Sequence, residues 1–392
     1  MKVLYVTDVV DRFGATNSFK EMVKELNSKY NVEPIILTSK KGLITKYAND
    51  NQFETYAIGY DSVLYRDSEN KLKNFVKRLT KRQVQKVKVA YKEYNAMKKV
   101  EKLINFDDID IIHSNINRND IGARIAQKYK IPHVMHLREF SDLDFNYFPL
   151  YNNYINLINS NTNRFIAISR VIKKHWNNKG IPDEKIEVVY NGVDNKKFIP
   201  KEKFNDGKIH VIFSGAISPT KGQIEAIKAI KLIKNEFKEK IVLDIYGTGN
   251  EEYVKKLHKF ILENNLEKNI DFKGYVDNIY EYVGKYDIGL VCSKSEGFGR
   301  VTAEYMHAGL IVIASNKGAN SELIDNGENG FLYEYGNSDG LSKKIEKVIE
   351  EKSDFKQKIV EEAMKKANNM FTAEKNADNV YKIYEEVLGE RK

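Results

Sequence analysis

Residues 293–315 read SKSEGFGRVTAEYMHAGLIVIAS and follow Ile288–Cys292, an apolar run with the length of a buried strand. A strand, a glycine-rich turn and a helix in this order place backbone N–H groups at a helix N-terminus, where they can approach a phosphate. Glu296 falls on the turn, and Glu304 falls about one turn into a helix that begins at Gly299. A carboxylate accepts two hydrogen bonds from a vicinal diol, so this pair could hold the hydroxyls of a sugar and a ribose. The alternative from the residues alone is an ordinary loop with a capping glutamate.

The rest of the chain alternates short β-branched segments with longer helical patterns, which is typical of parallel α/β sheets. Phe165–Ile168 is apolar throughout, as a strand buried on both faces requires. The rhythm breaks at turn residues and a polar stretch before it resumes near Ile209. We therefore predict two Rossmann-like, doubly wound α/β domains, 1–200 and 201–370, facing each other across a cleft, with a helix in 371–392 that packs back on the first domain.

The composition agrees with this organisation, because 392 residues exceed what one hydrophobic core usually supports. With 42% hydrophobic and 30% charged residues the chain is globular, and no segment has the ~20 apolar residues of a membrane-spanning helix. The only cysteine, Cys292, excludes an intrachain disulfide and a cysteine-based zinc site. Met1–Thr7 has the pattern of a strand and not of a secretory signal, so we expect a cytoplasmic protein.

The net charge of +9 is concentrated in Lys71–Lys102, where twelve basic residues accompany two acidic ones, Glu93 and Glu101. Apolar residues recur through this segment at roughly helical spacing, which predicts a basic amphipathic helix or helix pair. Three interpretations stay open, namely a solvated face, an anionic surface at the inner side of a membrane, and nucleic acid. We expect no nucleic-acid partner, because no recognisable nucleic-acid module accompanies the charge.

Beyond these patterns, the sequence resembles family 4 of the glycosyltransferases, the retaining enzymes with the GT-B fold. The resemblance rests on the E-x7-E pattern of Glu296 and Glu304, on Ala308–Ala314 and on Asn326–Leu332. In similar enzymes the first glutamate binds hydroxyls of the donor sugar, the turn glycines meet the diphosphate, and the second glutamate binds the ribose. The donor-binding residues implied by the resemblance are Gly14, Ala15, Lys221, Gly247, Val276, Glu296, Gly297, Phe298, Gly299, Arg300, Val301 and Glu304.

Ser214–Gly222 resembles the diphosphate loop of the family, and Lys221 is its expected phosphate-binding cation. The chain departs from the common pattern at Ala216, where the family places an arginine. A diphosphate in a water-poor cleft normally needs more than one cation, so we expect Arg138 or Arg300 to supply the second charge.

Two further glycine segments resemble parts of the donor site. Tyr246–Gly249 resembles a short loop beside the donor, and Gly274–Val276 resembles the stretch whose backbone contacts the nucleobase. Backbone contacts leave little base information in the side chains, but a UDP-sugar is expected in preference to a GDP-sugar. Phe13–Ser18 resembles the family's Gly-Gly-Ala loop near donor phosphate and acceptor, with Phe13 in place of the first glycine.

The N-terminal domain is expected to hold the acceptor side. Aligned from Pro132, Arg138 occupies the place of a histidine of the family, and His136 lies two residues earlier on the same face of the strand. A satisfied structural histidine is an equal alternative for His113. The expected catalytic residues are Glu296, Lys221 and Arg138, and the acceptor-side candidates are His113, Asn115 and His136.

The resemblance implies a hexosyltransferase of cell-surface polysaccharide synthesis that retains anomeric configuration by front-side displacement. The leaving diphosphate would help to deprotonate a saccharide, lipid-linked or protein acceptor, and neither a cofactor nor a metal is required. Because a fold does not fix a function, two alternatives stay open. One is a nucleotide-sugar epimerase or phosphorylase, and the other is a non-catalytic partner subunit of a transferase.

Overall fold

The computed structural model describes residues 1–8, 14–66, 71–198, 203–204 and 206–390, except for the side chains of 71–81 and 197. The chain divides into two compact units. The first unit comprises Met1–Gly192 and Ala373–Lys392, and the second comprises Val193–Thr372.

The first unit is built around a parallel sheet. Its strands are β1 (Lys2–Thr7), β2 (Glu33–Thr38), β3 (Glu54–Ala57), β4 (Leu64–Arg66), β5 (Ile111–Ser114), β6 (His133–Leu137), β7 (Tyr147–Pro149), β8 (Arg164–Ala167) and β9 (Ile186–Val188). Its helices within Met1–Gly192 are α1 (Gly14–Tyr30), α2 (Leu43–Asp50), α3 (Lys71–Leu103), α4 (Ile121–Tyr129), α5 (Asp142–Phe145), α6 (Tyr154–Ser160) and α7 (Arg170–Asn178). The parallel sheet has the order β3-β2-β1-β5-β6-β8-β9, and β4 pairs with β7 in a separate antiparallel ribbon.

The second unit repeats this design on a smaller sheet. Its strands are β10 (Ile209–Ser214), β11 (Ile241–Tyr246), β12 (Ile270–Gly274), β13 (Ile288–Val291), β14 (Ile311–Ser315) and β15 (Phe331–Tyr333). Its helices are α8 (Gln223–Leu232), α9 (Asn235–Lys238), α10 (Glu251–Glu263), α11 (Tyr280–Val283), α12 (Arg300–His307), α13 (Asn320–Leu323), α14 (Ser338–Glu350) and α15 (Ser353–Met370). The order is β12-β11-β10-β13-β14-β15, with parallel pairing throughout. The last helix, α16 (Ala373–Gly389), returns to the first unit.

Strand β1 shows why these apolar segments form buried strands. Successive side chains of a strand point to opposite faces. Val3 and Tyr5 pack in one core with residues of α1 and α16, whereas Leu4 and Val6 pack in another with residues of α3 and α4. Both faces are therefore covered by helices, and the predicted α/β class with doubly wound parallel sheets is confirmed.

The strand orders locate the ligand-binding edges. In an open parallel sheet, ligands bind outside the carboxyl ends of the strands, where the winding direction reverses. This reversal lies between β1 and β5 in the first unit and between β10 and β13 in the second. The loops that follow these strands therefore mark a candidate ligand-binding edge in each unit.

Helix α3 runs without interruption from Lys71 to Leu103, so the basic segment is one helix and not a helix pair. Within the described ranges, no helix combines the length and the apolar character that crossing a membrane requires.

Candidate functional site

Two loops of the second unit approach closely at the carboxyl ends of β10 and β13. Gly222, at the start of α8, has a φ of +80°, and a Cβ there would lie 2.2 Å from the carbonyl oxygen of Cys292. The backbone N–H of Lys294 also donates to the carbonyl oxygen of Thr220 at 2.8 Å. A glycine permits both the left-handed conformation and this approach, which brings Lys221 beside the E-x7-E segment.

Lys221 and Glu296 form an ion pair between these loops. Lys221 Nζ lies 3.0 Å from Glu296 Oε2 and 3.3 Å from Glu296 Oε1. The side chains are 36% and 14% exposed, so solvent reaches the cation more than the carboxylate. The backbone of Glu296 is held by Ala319, whose N–H donates to its carbonyl oxygen at 2.8 Å. The structure thus brings together the predicted phosphate-binding cation and the predicted sugar-binding carboxylate.

The glycine turn leads directly into α12, as the sequence predicted. Gly299 precedes the helix with a φ of +86° and a ψ of 50°, in the left-handed region that favours glycine. Phe298 is buried and packs edge-to-face on Phe371, with ring centroids 5.7 Å apart. This contact anchors the turn. Gly297 and Val301, on either side of this segment, are half-buried. The first N–H groups of α12 follow at the same sheet edge.

Glu304 lies one turn into α12 and is already hydrogen-bonded. It accepts from Arg300 Nε at 2.9 Å and from the hydroxyl of Tyr280 at 3.2 Å, both on Oε1. Arg300 and Glu304 are each 9% exposed. The guanidinium of Arg300 is therefore hydrogen-bonded to the carboxylate that is predicted to bind ribose. Tyr280 was missed by the sequence analysis, because a tyrosine in a short helix carries no motif.

The Ser214–Gly222 loop also packs on the Tyr246–Gly249 loop. Gly247 has a φ of +133°, and a Cβ there would lie 1.8 Å from the carbonyl oxygen of Gly215. The N–H of Ile217 donates to the carbonyl oxygen of Thr248 at 2.8 Å. Gly247 is therefore held beside the exposed Ala216.

Val276 lies further along the same edge, in the segment after β12. It is half-buried, and the N–H of Gly247 donates to the carbonyl oxygen of Gly274 at 2.8 Å. A cavity of about 310 Å³ adjoins these loops, and its lining includes Gly247, Gly274, Phe272 and His258. Its size is at the lower end of ligand pockets in proteins.

In the first unit, Arg138 is held by two asparagines. Its Nε donates to the carbonyl oxygen of Asn115 at 3.0 Å and to Asn115 Oδ1 at 2.8 Å. Its Nη1 donates to Asn191 Oδ1 at 2.7 Å, and the residue is only 7% exposed. These three acceptors are neutral oxygens, and they fix the position of the guanidinium.

His113 and His136 form a buried pair in the first unit. His113 Nε2 lies 2.6 Å from His136 Nδ1, and the rings stack with centroids 4.8 Å apart. The other ring nitrogen of His113, Nδ1, is hydrogen-bonded to the hydroxyl of Tyr384. Burial and the charge of Arg138 hold the pKa of both histidines well below its ordinary value. Both histidines, predicted as acceptor-side residues, are fully buried, and burial favours their neutral forms.

A polar cluster that no sequence motif marks lies beyond the carboxyl ends of β1, β5 and β6. Arg118 forms a two-pronged contact with Glu139, with distances of 2.8 Å from Nε to Oε1 and 2.6 Å from Nη2 to Oε2. Burial raises the pKa of Asp8 to about 6, and Arg118 opposes this shift. The sequence signal for this cluster is the position of Asp8 directly after β1 and of Arg118 in the segment that follows β5.

The predicted Gly14 and Ala15 form the first turn of α1, where Gly14 is exposed and Ala15 half-buried. The substitution noted at Phe13 lies outside the described residues. In the described part of the chain, no group of three or more His, Cys, Asp or Glu side chains is arranged to hold a metal ion.

Comparisons with known proteins identify the family of this chain. Residues 194–366 match the family model described as Glycosyl transferases group 1, and residues 44–197 match the one described as Glycosyltransferase Family 4. The chain is 31% identical to an uncharacterized glycosyltransferase of Methanocaldococcus jannaschii over 297 residues, which are 75% of this chain and 80% of that protein. It is 23% identical to the N-acetyl-alpha-D-glucosaminyl L-malate synthase of Bacillus anthracis, over 75% of this chain and 79% of that protein.

Solved structures show the same architecture. HepE of Anabaena in complex with UDP superimposes with a TM-score of 0.78 at 20% identity, over 98% of this chain and 100% of that one. A TarM variant of S. aureus superimposes with a TM-score of 0.74 at 15% identity, over 98% of this chain and 99% of that one. With the two family models and the relative from M. jannaschii, these matches show that the chain belongs to the family 4 glycosyltransferases and has their GT-B fold.

Proposed function

We propose that this glycosyltransferase is a retaining enzyme that moves a hexosyl group from a nucleotide-diphosphate sugar to a saccharide, lipid-linked or protein acceptor. Its place would be in cell-surface polysaccharide synthesis on the cytoplasmic side of the membrane. One observation carries the proposal: Lys221 and Glu296 meet beside the Gly297–Gly299 turn at the carboxyl edge of the second sheet. A cation, a carboxylate and a helix N-terminus are the groups that a diphosphate and a sugar diol need.

Each of these groups has a distinct role in donor binding. Lys221 Nζ would turn from Glu296 to the diphosphate, because two phosphate groups carry more negative charge than one carboxylate. Glu296 would then accept hydrogen bonds from hydroxyls of the donor sugar. The backbone N–H groups of Gly297–Gly299 and of the start of α12 would face the diphosphate, and Glu304 would bind the ribose.

Catalysis would be electrostatic. As the bond between the anomeric carbon and the phosphate oxygen breaks, negative charge grows on the leaving diphosphate. The acceptor hydroxyl forms the new bond on the same face, and its proton passes to the leaving phosphate oxygen. Lys221, the turn N–H groups and a second cation would stabilise that charge, and removing one such donor typically costs ~10²–10³ in rate. This scheme needs no metal ion.

Two comparisons support a UDP-sugar donor. HepE of Anabaena was solved in complex with UDP and in complex with UDP-glucose. A 26% identical relative from Streptococcus gordonii is named as the GtfA subunit of a UDP-N-acetylglucosamine–peptide N-acetylglucosaminyltransferase, and the chain spans 56% of its length. We extend the UDP preference to this chain, with the acceptor bound by the first unit near Arg138 and Asn115.

The test is product analysis with UDP-, GDP- and ADP-sugars and a panel of saccharide acceptors. We expect release of UDP, an extended acceptor and, by NMR, an unchanged anomeric configuration, with equal rates when EDTA is added. Conversion of the donor into its epimer, or formation of a sugar phosphate from inorganic phosphate, would point to the alternative activities. The Glu296→Ala variant serves as the inactive control. Normal turnover in this variant would reject the assigned site.

A further inference from the structure

Helix α3 carries two apolar stripes on opposite sides. The inner stripe consists of Val89, Ala96 and Val100, which are 2%, 1% and 0% exposed. The outer stripe consists of Val84, Val87, Tyr91 and Tyr94, which are 70%, 72%, 67% and 57% exposed. At about 100° per residue, the two stripes point in nearly opposite directions. Packing on the first unit therefore uses only one of them.

The outer stripe is more than a scatter of exposed residues. Its members follow one another at intervals of three and four, so they form one continuous ridge about 15 Å long. A helix face that only needs solvation carries polar residues at such positions. Contiguous exposed apolar surface marks an interaction site in soluble proteins.

Positive charge surrounds the outer stripe. Lys88, Lys98, Lys99 and Lys102 are exposed near it, and Lys98 Nζ lies 4.5 Å from the centre of the Tyr94 ring. The acidic residue on this side, Glu101, is paired with Lys128 at 2.5 Å. The partner of this surface should therefore be negatively charged and apolar beneath its charge.

We infer that the outer stripe of α3 docks this enzyme on an anionic lipid bilayer. Valine and tyrosine side chains would enter the boundary between headgroups and acyl chains, and the four lysines would contact lipid phosphates. Tyrosine favours this boundary because its ring is apolar and its hydroxyl is polar. A second copy of the chain is a poorer partner, since pairing two outer stripes would bring like charges together.

Docking requires neither donor nor acceptor, so it does not depend on the transfer reaction. Vesicle binding by the full chain can therefore fail while transfer to a soluble acceptor persists, and the reverse also holds. If the acceptor is lipid-linked, docking would keep the enzyme at the surface where its substrate lies.

The experiment is co-sedimentation with vesicles of phosphatidylcholine, with or without phosphatidylglycerol, at low and high salt. We expect binding only with phosphatidylglycerol and weaker binding at high salt. Two variant sets should each lower the binding constant at least about tenfold. The first changes Lys88, Lys98, Lys99 and Lys102 to Gln, and the second changes Val84, Val87, Tyr91 and Tyr94 to Ser. A matched control set changes Lys256, Lys259, Lys343 and Lys347 of the second unit to Gln and should bind normally.

A Tyr91→Trp variant reports insertion directly. Its fluorescence should be quenched by brominated phosphatidylglycerol, whereas the buried Trp176 gives a constant background. Absence of vesicle binding, equal binding by all variant sets, or binding without quenching would each overturn the inference. Self-association that disappears in the serine set, without vesicle binding, would assign the outer stripe to a second copy of the chain instead.

Discussion

Lys221 Nζ lies 3.0 Å from Glu296 Oε2, although the two residues are 75 positions apart in the sequence. Because the lysine side chain is 36% exposed, this pair contributes little to stability, within about 1 kcal/mol. Its importance should therefore lie in donor binding. That distinction can be measured, since changes at these residues should affect turnover much more than unfolding.

Replacing either partner by alanine should lower kcat/KM about 10²–10³-fold, because each change removes a group that we propose contacts the donor. The melting temperature should hardly change, as expected for a partly exposed ion pair. Initial rates and thermal unfolding of Lys221→Ala and Glu296→Ala check this. Lys228→Ala and Glu263→Ala, on exposed helix faces of the same unit, should behave like the unsubstituted enzyme.

Exchanging the two charges separates a structural role from donor binding. The double variant Lys221→Glu with Glu296→Lys keeps an ion pair but inverts the charge offered to each part of the donor. We expect it to be as inactive as the single variants. Recovery of turnover in the exchanged protein would mean that the pair acts only by joining the two loops.

Arg300, within the E-x7-E segment, is one candidate for the second cation, because the chain has Ala216 where the family places an arginine. We predict that Arg300→Ala weakens UDP binding about tenfold to hundredfold, the usual effect of one charge-assisted hydrogen bond. Adding Ala216→Arg should restore much of the affinity, because Ala216 is exposed and can accept a longer side chain. Calorimetric titration with UDP measures both effects.

Arg138 provides the comparison for this second cation. If Arg300→Ala binds UDP normally and Arg138→Ala does not, the charge comes from the first unit. Normal UDP affinity in both variants would reject the hypothesis that one of these arginines supplies the cation missing at Ala216. Glu304 Oε1 accepts from Arg300 Nε at 2.9 Å and is itself proposed to bind the ribose, so Glu304→Gln should also weaken UDP binding.

Gly222 tests the close approach of the loops that follow β10 and β13. A Cβ at Gly222 would lie 2.2 Å from the carbonyl oxygen of Cys292, whereas a Cβ at Gly274, with a similar φ of +70°, would meet open space. We expect Gly222→Ala to destabilise the second unit by about 2–4 kcal/mol and Gly274→Ala by only about 1 kcal/mol. Amide hydrogen exchange in α8 and β10 measures the difference. Equal losses in both variants would remove the steric argument.

His133 gives a pH dependence with a defined sign. Burial lowers its pKa to about 3, and both ring nitrogens are hydrogen-bonded, to Ser114 and Thr162. Above its unfolded pKa of about 6.5 the ring is neutral in both states, so it contributes no pH dependence. Below that pH the unfolded chain binds a proton that the folded chain does not, until the pH approaches 3. The free energy of unfolding should therefore decrease by about 1.4 kcal/mol for each unit by which the pH is lowered in this range, because of this residue.

The measurement uses the fluorescence of Trp176, the single tryptophan, which is buried in the same unit as His133. Between about pH 6.5 and pH 5, the free energy of unfolding measured in urea should change less steeply with pH in His133→Gln than in the unsubstituted protein. Identical slopes would indicate that His133 is protonated in the folded state.

Several features of the molecule followed from the sequence alone. The strands, the turn at Gly299 and the helix after it were predictable, because burial pattern and backbone conformation depend on residues close together in the chain. The E-x7-E segment also identified the family, because its residues lie in one continuous stretch of the chain. Helix α3 was predictable as a basic amphipathic segment for the same reason.

Contacts between distant residues were decided only by the tertiary structure. The clasp of Arg138 by Asn115 and Asn191, the Tyr280 contact with Glu304 and the Lys221–Glu296 pair all join separate loops. The order of the strands determines which loops meet at the sheet edge, and local periodicity does not contain that order. Likewise, the sequence of α3 offers two apolar stripes, and only packing on the first unit buries one and leaves the other exposed.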